Sequence, residues 1–230
     1  METPTLPADA PDRFAKTASD PSPLISKYSE QTVLAIGAHP DDVEIGAGGT
    51  LARLSEGGAR ATIVLCAPNG SDERFEEARR AAKILGADLE LLYGDRRAAN
   101  LDSYELVERL GELVTRHAPA LVLTHAAANF HQDHALVHKA CSVVQRVRYF
   151  DMLCFCPMNA HLIAASFRPD AFVDITPAIE KKMAAIGLHS DPVSRKGLTV
   201  EHYRMAAAEH GRRVGVEYAE GFEVARLRLA

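Results

Sequence analysis

A group of metal-ligand residue types follows the first apolar run of the chain. The stretch HPDDVE contains His39, Asp41, Asp42 and Glu44. Imidazole and carboxylate groups are standard ligands of Zn²⁺. Two residues separate His39 from Asp42, in a tight turn that Pro40 helps to fix, so that both side chains can reach one ion. The stretch therefore predicts part of a metal site.

A second group of histidines lies further along the chain, in the stretch HQDH. His131 and His134 are at i and i+3, so at the entrance of a helix they share one face. Either one, added to His39 and Asp42, would complete a site of two imidazoles and one carboxylate with an open position for water, as in catalytic zinc sites. Each motif alone is also compatible with an ordinary polar turn. Together, after strands of one sheet, they favour a shared site.

The elements that must position these residues follow a regular alternation. Apolar runs of strand length alternate with helical patterns. We predict strands at 32–38, 61–67, 87–94, 120–125 and 151–157, and helices at about 46–57, 72–86, 102–117 and 132–148. Nearly continuous hydrophobic strands that alternate with helices indicate a parallel sheet covered on both faces. The predicted fold class is α/β, a Rossmann-like three-layer sandwich with a mostly parallel sheet.

The C-terminal part of the chain follows a different pattern. A further strand, in an antiparallel orientation, is expected within 167–176, and two helices within 177–189 and 200–215. We expect one domain over residues 31–230, preceded by a loosely ordered arm at 1–30.

The carboxyl ends of parallel strands form the edge where such folds bind ligands. Both histidine groups follow strands, so we expect them to meet there. The glycine-rich stretch GAGGT (46–50) could indicate a nucleotide site. However, a dinucleotide fingerprint begins at the strand end itself, where this chain has carboxylates that would repel a pyrophosphate. We therefore predict that these glycines allow close packing of the helix on the sheet.

Composition excludes several classes of partner. The net charge of -5 and the pI of about 6.1 give no electrostatic reason to expect nucleic acid or an anionic membrane surface. No apolar run approaches the roughly 18–20 residues that span a bilayer, and no signal-peptide pattern is visible, so we expect a cytoplasmic location. The four cysteines show no paired spacing and are expected to be buried, reduced thiols.

The motifs carry a family resemblance. AHPDDVEIGAGGTLARL resembles the first motif of the PIG-L/LmbE-like family of zinc-dependent N-acetylglucosaminyl deacetylases, and THAAANFHQDH is similar to its second motif. The stretches IVLCAPNG…RFEEARRAAKILGA and FRPDAFVDITPAIEKKMAAI also resemble the family. The resemblance runs from about Val33 to about His189.

This resemblance implies a role for each residue of the two motifs. It implies a zinc site formed by His39, Asp42 and His134, with Asp41 as general base. His131 would stabilise the transition state or act as an acid, and Asp133 would orient His131.

The predicted substrate contacts and the departures from the family pattern concern other positions. Arg74 matches a position that contacts substrate polar groups in some members, and we predict that Arg74 and Asn129 bind substrate. Asn129 stands where the family often has aspartate. Val43 is inserted before Glu44, and the segment around His189 lacks the usual glutamine.

The sequence thus predicts a zinc-dependent hydrolase that removes an N-acetyl group from a small amino-sugar conjugate by metal-activated water. Two alternatives stay open at this point. One is a non-haem Fe(II) oxygenase with a His/His/Asp triad, and the other is a non-catalytic nucleotide-binding module. Assembly into a homo-oligomer is also open.

Overall fold

The structure is a computed structural model that describes residues 22–67, 71–94, 100–127, 131–156, 167–190 and 198–228. Most of the predicted arm at 1–30 therefore lies outside the described residues. Its last part forms a short helix, from which Ile25 and Tyr28 are buried against the domain. The division into arm and domain stays a prediction.

Strands and helices alternate along the described chain as the pattern predicts. The strands are β1 (Thr32–Gly37), β2 (Arg60–Leu65), β3 (Asp88–Leu91), β4 (Leu121–His125), β5 (Asp151–Phe155), β6 (Ala171–Asp174) and β7 (Ala219–Arg226). The helices are α1 (Pro23–Lys27), α2 (Asp42–Glu56), α3 (Asp72–Ile84), α4 (Ser103–His117), α5 (Gln132–Val144), α6 (Ile179–Ile186) and α7 (Val200–Val214). No helix within the described ranges is both long and apolar enough to span a membrane.

The strands form one sheet, and its topology confirms the predicted α/β fold. The strand order is β3-β2-β1-β4-β5-β7-β6, with β1 to β5 parallel and β7 antiparallel to both β5 and β6. Pattern analysis missed β7. Its segment AEGFEVAR contains a glycine and several charges, and its signal is only the alternation of Phe222 and Val224.

Two apolar cores lie on opposite faces of the sheet. Along β1, Val33 and Ala35 belong to the core under α2, α3, α6 and α7, whereas Leu34 and Ile36 belong to the core under α4 and α5. Alternation of side chains along a strand produces this division. The sheet is therefore the middle layer of a three-layer sandwich.

Helix α2 begins four residues earlier than predicted, at Asp42 rather than at residue 46. Asp41 is the residue before the helix, with a left-handed backbone (φ 98°) that turns the chain sharply out of β1. Two carboxylates, Asp42 and Glu44, therefore lie in the first helical turn, where the helix dipole favours negative charge.

The glycines of α2 allow the close packing that the sequence predicts. A Cβ on Gly46 would lie 2.2 Å from a ring carbon of Phe155, and one on Gly49 would lie 2.8 Å from Ile175. A Cβ on Gly48 would make only ordinary contacts, of 3.6 Å or more, with Leu85 and Lys182. Gly46 and Gly48, two residues apart in one helix, thus differ sharply in the space that a methyl group would have.

We expect Gly46→Ala to destabilise the protein by about 1–3 kcal/mol, because overpacking a well-filled core forces side chains and backbone to move. Urea unfolding of both proteins gives the free energy of unfolding that checks this value. Gly48→Ala is the matched control, and it should be neutral or stabilising by up to about 1 kcal/mol because alanine is the better helix former. Equal effects of the two substitutions would contradict the packing argument.

A buried ion pair ties α2 to the C-terminal half of the chain. The Glu220 carboxylate accepts hydrogen bonds from the N–H groups of Gly49 (2.9 Å) and Thr50 (2.7 Å) and pairs with Lys182. The Lys182 ammonium also donates to the Ile45 carbonyl, at 2.6 Å. Because both charges have polar partners, their burial is compensated. The pair fixes the helix whose first turn carries the predicted metal ligand Asp42.

The four cysteines are free and buried, as predicted. Burial raises the pKa of Cys141 to about 12. A thiol with such a pKa is a poor nucleophile and a poor metal ligand at neutral pH.

Candidate metal centre

The two histidine groups meet at the carboxyl ends of β1 and β4, as expected. β1 leads into the His39–Asp42 turn, and β4 leads towards α5, whose first turn holds His134. The ring centroids of His39 and His134 are 5.5 Å apart, and those of His39 and His131 are 4.8 Å apart. Ligand-type groups from distant parts of the sequence therefore share one place.

Asp42 is the centre of this cluster. Its Oδ2 accepts a hydrogen bond from the backbone N–H of His39 at 2.8 Å, and its Oδ1 lies 3.2 Å from His134 Nε2. Burial alone would raise the pKa of Asp42, but the neighbouring His134 and His125 rings outweigh it and hold this pKa well below its usual range. Asp42 is therefore a carboxylate, the form that binds a metal.

The His39 ring lies between two carboxylates. Its Nε2 is 3.0 Å from Asp133 Oδ2, and its Nδ1 is 3.6 Å from Asp42 Oδ2. A neutral ring that donates its Nε2 proton to Asp133 has a free lone pair on Nδ1, facing Asp42. This arrangement, in which a carboxylate orients a histidine through its far nitrogen, is common at metal sites.

His131 lies at the N-cap of α5, where a backbone contact fixes the position of its proton. Its Nδ1 accepts a hydrogen bond from the backbone N–H of Asp133 at 3.2 Å. The proton of a neutral ring must then be on Nε2, which makes that nitrogen a donor rather than a metal ligand. Burial, followed by the nearby His134 and His39, lowers the pKa of His131, so the ring is neutral at pH 7.

Asp133 contacts both rings, but with different groups. Its backbone N–H donates a hydrogen bond to His131 Nδ1, whereas its carboxylate pairs with His39 Nε2. The family resemblance implies that Asp133 orients His131. The structure places that contact on the backbone and gives the carboxylate a different partner, because the first turn of α5 faces the turn after β1.

His125 is a buried residue of the site that sequence analysis did not assign. It ends β4, and its ring stacks on His134 with centroids 4.0 Å apart. The Ala38 N–H donates to its Nε2 at 2.9 Å, while Asp42 Oδ2 lies 3.3 Å from the same atom. Burial, the largest effect, lowers the pKa of His125 to about 4, although Asp42 acts in the opposite direction. A polar residue at the last position of an apolar strand was the available signal.

Asp41 and Arg74 lie together beside the cluster. The Arg74 guanidinium donates to the Pro40 carbonyl at 3.1 Å and lies 3.9 Å from Asp41 Oδ2. The left-handed backbone of Asp41 is unusual for a residue with a side chain, and such strain is concentrated at functional sites. Asn129, the other predicted substrate contact, lies outside the described residues.

The donor set fits a divalent metal ion. Among the described residues, two combinations bring possible ligand atoms within 4.8 Å of one another, namely His39, His131 and His134, and Asp42, His125 and His134. Asp42 connects the two combinations, because its Oδ1 lies 3.2 Å from His134 Nε2 and its Oδ2 lies 3.6 Å from His39 Nδ1.

Comparison with known proteins places this site in a family. The sequence model of the PIG-L family, described as GlcNAc-PI de-N-acetylase, matches residues 34–144, the segment that contains both motifs. The uncharacterized deacetylase YaiS of Escherichia coli (strain K12) is 36% identical over 139 residues, which cover 55% of this chain and 75% of YaiS. The chain belongs to the PIG-L family. Its predicted class, an amide-hydrolysing deacetylase, agrees with the family description and with the name of this relative.

Other PIG-L relatives match a larger part of the chain. The diacetylchitobiose deacetylase of Thermococcus kodakarensis is 26% identical over 82% of this chain and 81% of its own length. The crystal structure of GalB from Pseudomonas putida KT2440, a 4-carboxy-2-hydroxymuconate hydratase, is 27% identical with a TM-score of 0.70, covering 87% of this chain and 98% of GalB. The PIG-L fold therefore also occurs in an enzyme with a different reaction.

Proposed function

We propose that this PIG-L protein is a zinc-dependent hydrolase that removes an N-acetyl group from a small amino-sugar conjugate, with Asp41 as general base. One observation carries the proposal. A carboxylate on a strained backbone, beside an arginine, directly adjoins a cluster in which Asp42 lies 3.2 Å from His134 and 3.6 Å from His39.

His39, Asp42 and His134 would hold the metal. A bound Zn²⁺ would supply Lewis acidity, which lowers the pKa of a coordinated water from 15.7 to about 7 and polarises the amide carbonyl. His131 is left out of this ligand set because its Nε2 carries the proton. His125 is left out because its Nε2 accepts from Ala38.

The side chains around this centre would have the remaining catalytic roles. Asp41 would accept the proton of the attacking water, and Arg74, 3.9 Å away, would help to orient the Asp41 carboxylate. The Nε2–H of His131 would donate to the oxygen that gains negative charge as the carbonyl is attacked. A proton must then reach the leaving nitrogen, and both Asp41 and His131 are candidates to deliver it.

The two alternatives from the sequence lose support. A nucleotide-binding module rested on the glycines of α2, and two of these are packed against Phe155 and Ile175. The Fe(II) oxygenase rested on the ligand types alone, and neither the PIG-L family nor the relatives described above are oxygenases by name.

A hydratase is the second candidate, because GalB is similar over nearly its whole length. Hydration adds water to a carbon–carbon double bond of a carboxylic acid substrate and releases no amine. The same metal centre and the same base could serve either reaction. The substrate assay must therefore test both deacetylation and hydration.

We expect release of primary amine from at least one member of a panel of N-acetylglucosamine conjugates, diacetylchitobiose and N-acetylated aminoglycosides. A chelator should abolish the release, and added Zn²⁺ should restore it. A parallel assay offers 4-carboxy-2-hydroxymuconate and follows its loss by absorbance. Loss of this acid without any amine release would replace the deacetylase proposal by the hydratase. The homo-oligomer stays a prediction, which sedimentation of the same sample would test.

A further inference from the structure

A groove lies on the outer face of the two helices that cover one side of the sheet. Its volume is about 290 Å³, and it lies between α4 and α5, which pack side by side. Half of its lining residues are apolar, namely Val107, Leu136, Ala140 and Val143. Val107 and Leu136 also pack on the core under these helices. None of the residues of the groove belongs to the metal centre.

Exposed apolar side chains accompany this groove. Tyr104, which lines it, is 87% exposed, the highest value for a large hydrophobic side chain among the described residues. Val147, next to the lining residue Arg146, is 62% exposed. Tyrosine is enriched in protein–protein interfaces, where its ring contributes a large contact area at a low cost in side-chain entropy. One surface thus offers both a recess and an aromatic side chain that could fill such a recess.

Charges of opposite sign lie on the two sides of the groove. On α4, Glu108 and Glu112 are exposed. Glu108 follows Tyr104 by four residues, so the two side chains are neighbours on the helix surface. On α5, Lys139 and Arg146 are exposed and line the groove. The groove therefore has an acidic side on α4 and a basic side on α5.

The direction of the two helices determines which partner fits these charges. α4 and α5 run in the same direction, because each connects two parallel strands. A two-fold axis along the groove would therefore place α4 of one copy over α5 of another, with the acidic side against the basic side twice. Arg109 and Arg116 of α4 do not disturb this pattern, because they pair with Glu105 and Glu90 of their own chain. A foreign partner with charges of one sign would be repelled by one of the two sides.

We propose that this groove is the interface between two copies of the chain, which pair about a two-fold axis along the groove. Tyr104 of each copy packs into the groove of the other, against Leu136 and Ala140, and Glu108 of each copy faces Lys139 of the other. An interface with two-fold symmetry uses one self-complementary patch twice. The apolar lining, the exposed tyrosine and the opposite charges of this surface together meet that requirement.

Sedimentation velocity over a range of protein concentrations tests the pairing. The wild type should form dimers, and Tyr104→Glu should raise the dimer Kd by about 30-fold or more, the effect of a residue at the centre of an interface. Met205→Glu is the matched control and should leave the Kd unchanged, because Met205 is 59% exposed on α7, which packs on the other face of the sheet. A wild type that is monomeric at every concentration, or dimers that are insensitive to Tyr104→Glu, would overturn the proposal.

Charge reversal tests the placement of α4 over α5. Glu108→Lys and Lys139→Glu should each raise the dimer Kd by about five-fold, because each brings like charges together across the axis. The two substitutions combined in one chain should restore the wild-type Kd. A combined variant that dimerises no better than the single variants would overturn this placement.

Hydrogen exchange tests whether a second copy, rather than another occupant, covers the groove. Amide exchange in α4 and α5 should become slower as the protein concentration rises through the dimer Kd, whereas exchange in α7 should not change. Exchange rates in α4 and α5 that do not depend on concentration would mean that another occupant, or none, covers the groove. That result would overturn the proposal.

Discussion

Asp41→Asn is expected to lower kcat for amine release by about 10²–10⁴-fold, the typical contribution of a general acid–base group. Asparagine keeps the size of the side chain but cannot accept a proton from water. Because Asp41 is not among the proposed ligands, the variant should still bind one zinc per chain. Steady-state kinetics with metal analysis of the same sample measure both quantities.

The comparison variant is Asp102→Asn. Asp102 is also the residue before a helix, and its carboxylate caps α4 by accepting from Tyr104 N–H at 3.0 Å and Glu105 N–H at 2.8 Å. Asparagine caps helices about as well as aspartate. This variant should therefore have wild-type kcat, and full activity of Asp41→Asn would remove Asp41 from the role of base.

His134→Ala is expected to abolish stoichiometric zinc binding. The substitution removes a buried imidazole 3.2 Å from Asp42 Oδ1, one of the three proposed ligands. We expect the zinc Kd to rise by more than about 100-fold, beyond the 10–100-fold typical of residues that only orient ligands. Isothermal titration of the metal-free protein measures this change.

Thermal unfolding gives an independent measure of the loss of zinc binding in His134→Ala. Zinc at about 100 times its Kd stabilises a folded protein by about 2.7 kcal/mol. The Tm of the wild type should rise when zinc is added, and the Tm of His134→Ala should not.

His131→Gln separates the two histidines of the HQDH motif. Because His131 Nδ1 accepts from the Asp133 N–H, its Nε2 is a donor, and this variant should keep zinc while it loses turnover. Zinc retained by His134→Ala and lost by His131→Gln would exchange the roles of the two residues.

Local sequence features are sufficient to predict the framework of the site. Continuous apolar runs that alternate with helical patterns determine a parallel sheet, because only such a sheet buries strands on both faces. The sheet in turn determines that the turn after β1 and the first turn of α5 meet at one edge. Ligand types within each motif, such as His39 and Asp42, are close in sequence and therefore visible in it. The family follows from the same two motifs.

Only the tertiary structure decides which distant groups touch. His125 enters the site because β4 is paired with β1, and His189 meets Glu44 because α6 packs against α2. The segment of β7 has a weak strand pattern in the sequence. It forms a strand because it pairs with β5 on one side and with β6 on the other.

The proton positions of the histidines also depend on tertiary contacts. Asp133 N–H fixes the tautomer of His131, and the Asp133 carboxylate orients His39. The sequence by itself therefore determined the residue types of this centre and the sheet edge that gathers them. The fold decided which nitrogen donates and which carboxylate pairs with which ring, because hydrogen bonds depend on distances between atoms that the chain brings together only when it is folded.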